Sequence, residues 1–234
     1  MKLYTIKTFQ INFNMKIKAI ITGTTGMVGE GVMHECINHP EVESVLAINR
    51  KTINPDHPKL KEIIHHNFYD FSGMEEKLKG YNACFFCLGT TSVGKKEDQY
   101  KKITFDITKA LADVLVKLNP DMTFCYISGS GTDSSEKGKL MWARVKGRTE
   151  NYILNLGFRQ AFAFRPAIIE PTKGLKNTLS PYRYLSFLLP VVRTIFPNHI
   201  CSLKEIGTAM INSVNNGYEK KVLEVEDIKI LADK

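Results

Sequence analysis

Apolar positions along the chain fall alternately into short continuous runs and into stripes at helical spacing. Short runs bounded by turn residues read as buried strands, and stripes recurring every third or fourth position read as amphipathic helices. Residues 16–22 (KIKAIIT) make the first run and end in a glycine-rich turn. Val28, Val32, Met33, Cys36 and Ile37 then stripe a helix that Pro40 stops. Further strands are predicted at 45–48, 62–66, 84–88, 123–128 and 161–165. Between them, 74–79 reads as a short helix ended by Gly80, and Ile107, Leu111, Val114, Leu115 and Leu118 stripe a long helix before Pro120. Trp142, Val145, Thr149, Tyr152, Ile153 and Leu156 line another helix, which stops at Gly157. Strands alternating with crossover helices predict an α/β fold, a doubly wound parallel sheet covered on both faces.

After Pro166 the rhythm breaks. Residues 180–197 (SPYRYLSFLLPVVRTIFP) are strongly apolar but interrupted by Arg183, Pro190 and Arg193. They fall short of the roughly 18–20 uninterrupted apolar residues of a transmembrane segment. A lid, a substrate-pocket wall or a dimer surface is the expectation, with contact to a membrane surface as the lesser alternative. Residues 203–214 read as one more helix, and 222–231 as strand-like pieces returning to the sheet. The 234 residues suit one large domain, taken as 15–234, in which 166–234 supply the substrate side. Residues 1–14 read as an N-terminal extension without the apolar core of a secretory signal, and Met15 as the natural start.

Composition changes this picture little. With 43% hydrophobic and 24% charged residues, the chain can bury a sizeable core. Its formal charge of +8 favours anionic ligands. The basic residues are spread out, in short pairs such as Lys95-Lys96 and Lys101-Lys102, which argues against a nucleic-acid surface. Cys36, Cys84, Cys87, Cys125 and Cys201 are odd in number and irregularly spaced, so a reducing, cytoplasmic setting without disulfides is expected. Cys84 and Cys87 sit three apart on one predicted strand and so face opposite sides, unable to share a bond or a metal. His65 and His66 are adjacent and likewise diverge, and no metal pattern emerges.

The chemistry is concentrated in the first turn. Gly23-Thr24-Thr25-Gly26-Met27-Val28-Gly29 sets three glycines between a strand and an amphipathic helix, the arrangement of a Rossmann dinucleotide site. Glycine allows the sharp turn and the close approach, and the free amides of the helix start face a pyrophosphate. At the end of the second strand, about 20 residues on, an NAD site commonly carries an acid for the ribose hydroxyls. Here Asn49, Arg50 and Lys51 stand there instead, and two cations attract a 2′-phosphate that a carboxylate would repel. NADP is therefore predicted over NAD.

With these residues in view, the chain resembles the short-chain dehydrogenase/reductase superfamily, in its atypical and extended, epimerase-like branch, and within that branch the small Tat-interacting-protein-like proteins. The resemblance covers about residues 16–215 and rests on TGTTGMVG at 22–29, NR at 49–50, CLGTT at 87–91, YISGSG at 126–131, VKG at 145–147 and FRPAII at 164–169. It implies that Asn67 and Phe68 lie by the adenine, and that Cys87, Leu88, Gly89, Thr90 and Thr91 form the loop beside the cofactor ribose. It implies that Pro166, Ala167 and Ile168 meet the nicotinamide carboxamide. Ser128 or Ser130, with Ser130 preferred, matches the serine that polarises substrate, and Lys146 the lysine that holds the nicotinamide ribose.

The chain departs from that family's Y-x-x-x-K pattern at its first residue. The spacing gives Trp142-Ala143-Arg144-Val145-Lys146, two side chains one turn apart on a helix face. An indole N–H donates a hydrogen bond but does not ionise at useful pH, so the acid-base group is missing. Trp142 also reads simply as a large apolar residue on the core stripe, and Tyr182 or Tyr184 are candidates for a substitute hydroxyl. Two functions follow: an NADP(H)-dependent oxidoreductase or sugar-nucleotide epimerase-like enzyme using Ser130 and Lys146, or a non-catalytic NADP(H)-binding sensor. Net charge alone supports a third, nucleic-acid binding, which is the weakest. No residue in 170–200 is diagnostic of a small-molecule substrate, and a homodimer is left open.

Overall fold

A computed structural model describes residues 16–177 and 189–234. The expectations for residues 1–14, for Met15 and for Tyr182 and Tyr184 lie outside the described residues. Seven parallel strands form the main sheet in the order β3-β2-β1-β4-β5-β6-β9, so the chain reverses direction across the sheet between β1 and β4. These are β1 (Ile17–Thr22), β2 (Val42–Asn49), β3 (Leu60–Ile64), β4 (Ala83–Phe86), β5 (Thr123–Ile127), β6 (Gln160–Phe164) and β9 (Val222–Leu223). This is the doubly wound α/β fold the hydrophobic pattern predicts.

Alternation along each strand divides the core in two. Ile17, Ala19 and Ile21 point to one face, where they meet Val32 and Cys36 of α1 (Met27–Asn38), Leu203, Ile206 and Met210 of α7 (Leu203–Asn216), and Ile228 and Leu231 of α8 (Val225–Ala232). Ile20 points to the other, against Ile107, Leu111 and Leu115 of α4 (Ile107–Leu118) and Ile153 of α5 (Met141–Leu154). Cys84 packs in the second cluster and Cys87 against the first, so the two thiols diverge as their spacing requires. All five cysteines are free. Helices α1 and α7 cross closely because Gly31 leaves space for Leu203 and Gly207 for Glu35; an added Cβ would come within 2.9 and 2.7 Å of those side chains.

Three regions differ from the pattern-based expectation. The polar stretch before α4 forms α3 (Glu97–Lys101) and a π-helical turn (Lys102–Asp106) continuous with it, after the short α2 (Glu75–Leu78). Its buried face is only Tyr100, Thr104 and Phe105, too sparse to show as a stripe. The tail is corrected at 225–231: only Val222 and Leu223 pair with β6, and α8 follows. Glu224 and Asp227 cap that helix reciprocally, a local signal that outweighs the β-branched residues within it. Past Pro166, β7 (Ile168–Glu170) and β8 (Ile200–Ser202) form a second, two-stranded parallel sheet, with α6 (Leu189–Ile195) between them in sequence.

Helix α5 is seated on the loop after β5 through a glycine. A Cβ on Gly147 would lie 1.8 Å from the Asp133 carbonyl oxygen, which is backbone and cannot swing away. Gly147→Ala is expected to cost about 1–3 kcal/mol through overpacking. In a thermal melt each kcal/mol lowers Tm by roughly 2–4 °C at this size. An unchanged melting curve would mean that α5 is not held by this contact.

Candidate functional site

The cleft opens where the strand order reverses, at the carboxyl ends of β1 and β4, the position at which doubly wound sheets bind ligands. Gly23 leaves β1 with φ of +77°, and a Cβ there would come within 2.8 Å of the Cys87 and Leu88 backbone. The Gly26 N–H donates to the Gly23 carbonyl at 2.9 Å, closing the turn. A Cβ on Gly29 would lie 2.2 Å from that same carbonyl oxygen, so the first turn of α1 rests directly on the loop. Gly26 is the N-cap of α1 and supplies no side-chain cap. The amides at the start of α1 therefore have no side-chain capping partner; Gly26 itself lines the cleft, while the Met27 and Val28 side chains pack into the core. Such a helix start attracts an anion.

The cleft has a volume of about 240 Å³. Gly23, Thr25 and Gly26 form one side, Ile48, Asn49 and Arg50 the end of β2, and Phe68 with Cys87, Leu88 and Gly89 the opposite wall. An apolar slot of Ile48, Phe68 and Leu88 suits a flat ring, the uncapped amides suit a diphosphate, and Arg50 stands exposed at the rim. Among the described residues Arg50 makes no ion pair. These residues fit a dinucleotide. Lys51 is exposed and does not line the cleft, and Thr90 lies just past the lining. Asn67 is exposed, and its carboxamide oxygen accepts the Tyr69 N–H at 3.2 Å, while the neighbouring Phe68 is buried edge-on to Phe71.

Two of the expected cofactor residues, Thr24 and the cleft-lining Asn49, are bonded to each other. The Thr24 hydroxyl donates to Asn49 Oδ1 at 2.8 Å, and Asn49 Nδ2 donates to Glu62 Oε1 at 2.8 Å. Glu62 also accepts the Thr52 hydroxyl at 2.6 Å and the Ile53 N–H at 3.0 Å. Burial raises the Glu62 carboxyl pKa, but the bonds from Thr52, Asn49 and Ile53 together outweigh it and hold the group below its ordinary value. Sequence reasoning missed Glu62 because it comes from β3, thirteen residues beyond Asn49.

Beyond β5, α5 carries Trp142 and Lys146 one turn apart on one helix face. Lys146 Nζ donates to the Ser128 carbonyl at 2.6 Å and sits 5.9 Å from the centre of the Tyr126 ring. Burial pushes the Lys146 pKa down to about 8, against the opposing pull of Glu150. The Ser128 hydroxyl is buried and bonded to that of Thr132 at 2.8 Å. Ser130 is exposed, its N–H tied to the Pro166 carbonyl at 3.0 Å and its hydroxyl left outward. Pro166 is buried, Ala167 half-buried and Ile168 exposed at the start of β7. The indole of Trp142 lies over Gly131, where a Cβ would be 3.5 Å from Cη2. The tyrosine position thus carries no ionisable group.

Two of the cations on or bonded to α5 are committed. Arg144 bonds Glu97 at 2.6 Å and the carbonyls of Gly138 and Lys139. Arg165 makes a two-pronged pair with Glu150, Nε to Oε1 at 2.9 Å and Nη2 to Oε2 at 2.5 Å, and also reaches Ser134 and Glu224. No group of His, Cys, Asp or Glu among the described residues could hold a metal ion. No helix among them is long and apolar enough to cross a membrane.

The family model described as "NAD dependent epimerase/dehydratase family" matches residues 19–138. "Protein fmp52-1, mitochondrial" of Aspergillus terreus is 26% identical over 176 residues, spanning 71% of this chain and 73% of that protein. Among solved structures, the ADP-L-glycero-D-manno-heptose-6-epimerase of Helicobacter pylori superposes with a TM-score of 0.64 at 13% identity, covering 94% of this chain and 82% of that one. The Bordetella bronchiseptica enzyme WbmF, solved in complex with NAD+, gives 0.63 at 12% identity over 94% of this chain and 77% of its own. These structural likenesses support the fold. The fungal relatives are named as mitochondrial proteins, which overturns the cytoplasmic location expected above; free thiols report on redox state and not on a particular compartment.

The Glu150–Arg165 pair ties α5 to the end of β6 and so fixes the helix that carries Lys146. Side-chain exposures of 1% and 11% make it a buried pair. Removing one partner of such a pair strands the other charge and costs about 3–5 kcal/mol. Glu150→Ala is expected to lose that much in urea unfolding, with m unchanged. A loss below about 1 kcal/mol, the value of a surface pair, would remove this bond from the account of how α5 is held.

Proposed function

Since the chain belongs to the NAD dependent epimerase/dehydratase family, we propose that it is an NADP(H)-dependent oxidoreductase acting on a carbonyl or alcohol substrate. The observation that carries the cofactor half is the uncapped helix start facing a cleft whose rim holds the unpaired Arg50. The 2′-phosphate of NADP would meet that guanidinium, which no carboxylate pairs among the described residues. NADPH is expected to bind at least about tenfold tighter than NADH, the worth of one charged hydrogen bond. Arg50→Ala should bring the two dissociation constants within about threefold in calorimetric titration. Equal affinity in the wild type would remove NADP from the proposal.

When bound, the nicotinamide supplies or accepts a hydride. The chain's own part is the proton. Trp142 can donate a hydrogen bond to a substrate oxygen but cannot release a proton there. Lys146, one turn away, has its pKa pushed to about 8 and can do so near neutrality. Ser130, with its backbone fixed on Pro166 and its hydroxyl free, would polarise the same oxygen. The commitment of Arg144 and Arg165 to internal partners favours simple carbonyl substrates over nucleotide-sugars, whose diphosphate needs a free cation. Relatives with that second activity remain the nearest alternative reaction in the family.

Trp142 favours a second reading, a dinucleotide-binding sensor without turnover. The pH profile separates the two. An ammonium donor is present below its pKa, so carbonyl reduction should fall as pH rises through about 8, with a single ionisation. Lys146→Arg, which cannot deprotonate in this range, should lose that limb and about 10²–10⁴ in rate. Tight NADPH binding with no turnover on a panel of aldehydes, ketones and quinones would favour the sensor.

A further inference from the structure

The chain of hydrogen bonds that runs through the buried Asn49 and Thr24 begins at a half-exposed carboxylate that no motif marks. We propose that Glu62 is a positioning residue for the dinucleotide cleft: acting through Asn49, it holds Thr24, and with it the phosphate-facing turn, in place. The inference rests on the reading of that cleft as a dinucleotide site.

Polarity makes the chain directional. A carboxylate only accepts, so Asn49 must turn its Nδ2 toward Glu62, at 2.8 Å. Its Oδ1 is then left facing the turn, where the Thr24 hydroxyl must donate to it, also at 2.8 Å. Thr24 and Asn49 are 1% and 3% exposed, so neither can exchange its partner for water. Thr24 is consequently drawn under the turn, and Thr25, its neighbour, is the hydroxyl that lines the cleft.

The same carboxylate organises the start of the β2–β3 connection. It takes the Thr52 hydroxyl on Oε2 and the Ile53 N–H on Oε1, folding that segment back over β3. All three of its donors are neutral, and Arg50 is not among them. One residue thus anchors both the glycine-rich turn and the strand end that faces it. Arg50 lies outside the relay, so Glu62 governs how well any dinucleotide is held and leaves the choice between NADP and NAD to Arg50.

The test compares Glu62→Gln with Glu62→Leu. Glutamine can keep the relay, since its oxygen still accepts from Asn49 and Ile53 while its amide donates to Thr52. Leucine removes it at similar bulk. NADPH and NADH are titrated against wild type and both variants, and amide hydrogen exchange is followed across residues 23–29 of the free proteins. Glu62→Gln is expected to stay within about twofold of wild type for both cofactors. Glu62→Leu should weaken both by about tenfold or more, with their ratio unchanged, and speed exchange in the turn. Thr24→Val, which removes only the hydroxyl, should reproduce the faster exchange and supplies the evidence if the leucine variant does not fold. Wild-type binding and exchange in Glu62→Leu or Thr24→Val, or an equal loss in Glu62→Gln, would overturn the proposal. Should wild type bind neither dinucleotide, the cofactor reading fails by itself. The exchange data then decide the relay alone: faster exchange in leucine but not glutamine sustains it, and equal exchange refutes it.

Discussion

Everything at the candidate site depends on backbone meeting backbone without side chains between. The first turn of α1 lies on the Gly23 carbonyl, and Gly23 lies on the chain leaving β4; a methyl group at either glycine would sit 2.2 to 2.8 Å from backbone atoms. That contact brings β1, β4 and α1 together at the point where the sheet order reverses. It also explains why the helix has no side-chain cap. A glycine N-cap accepts the crowding but contributes no oxygen, so the helix start keeps its donors for an outside anion.

Charge is distributed to protect that arrangement. Glu30, in the first turn of α1, would compete with an anion if it faced the cleft. Its two carboxylate oxygens instead accept the amides of Lys176 and Asn177 at 2.8 and 2.7 Å, linking α1 to the segment after β7. Glu62 likewise accepts from Asn49, Thr52 and Ile53, and Glu150 is paired with Arg165. Each of these carboxylates has donors matched to it, as the burial of Glu30 and Glu150 requires. The guanidinium at the cleft rim is left with no carboxylate to neutralise it among the described residues.

The strands and main helices were readable because each carries its own periodicity and is bounded by glycine or proline, as with 16–22 and the Ile107–Leu118 stripe. The glycine turn was readable because its backbone geometry is local. What was not readable is non-local. Asn49 was taken as a cofactor contact from its place at the strand end, yet its partners come from residues 24 and 62, which only the strand pairing brings together. The tail failed for the opposite reason: Val222, Val225, Ile228 and Ile230 suggest a strand, and only the cap at Glu224 and Asp227 shows that a helix begins. The compartment failed because thiol chemistry does not distinguish one reducing environment from another.

Trp142 was visible in sequence, and the structure clarifies what it implies. Its indole covers Gly131, which has φ of +82° and so disfavours any side chain there, while Gly147 keeps α5 pressed against Asp133. The contacts that seat this helix are therefore intact, and Lys146 stays anchored on the Ser128 carbonyl. Burial lowers the pKa of that amine, opposed by Glu150. Losing the tyrosine removes one proton carrier; keeping the lysine desolvated leaves another in the same helical turn.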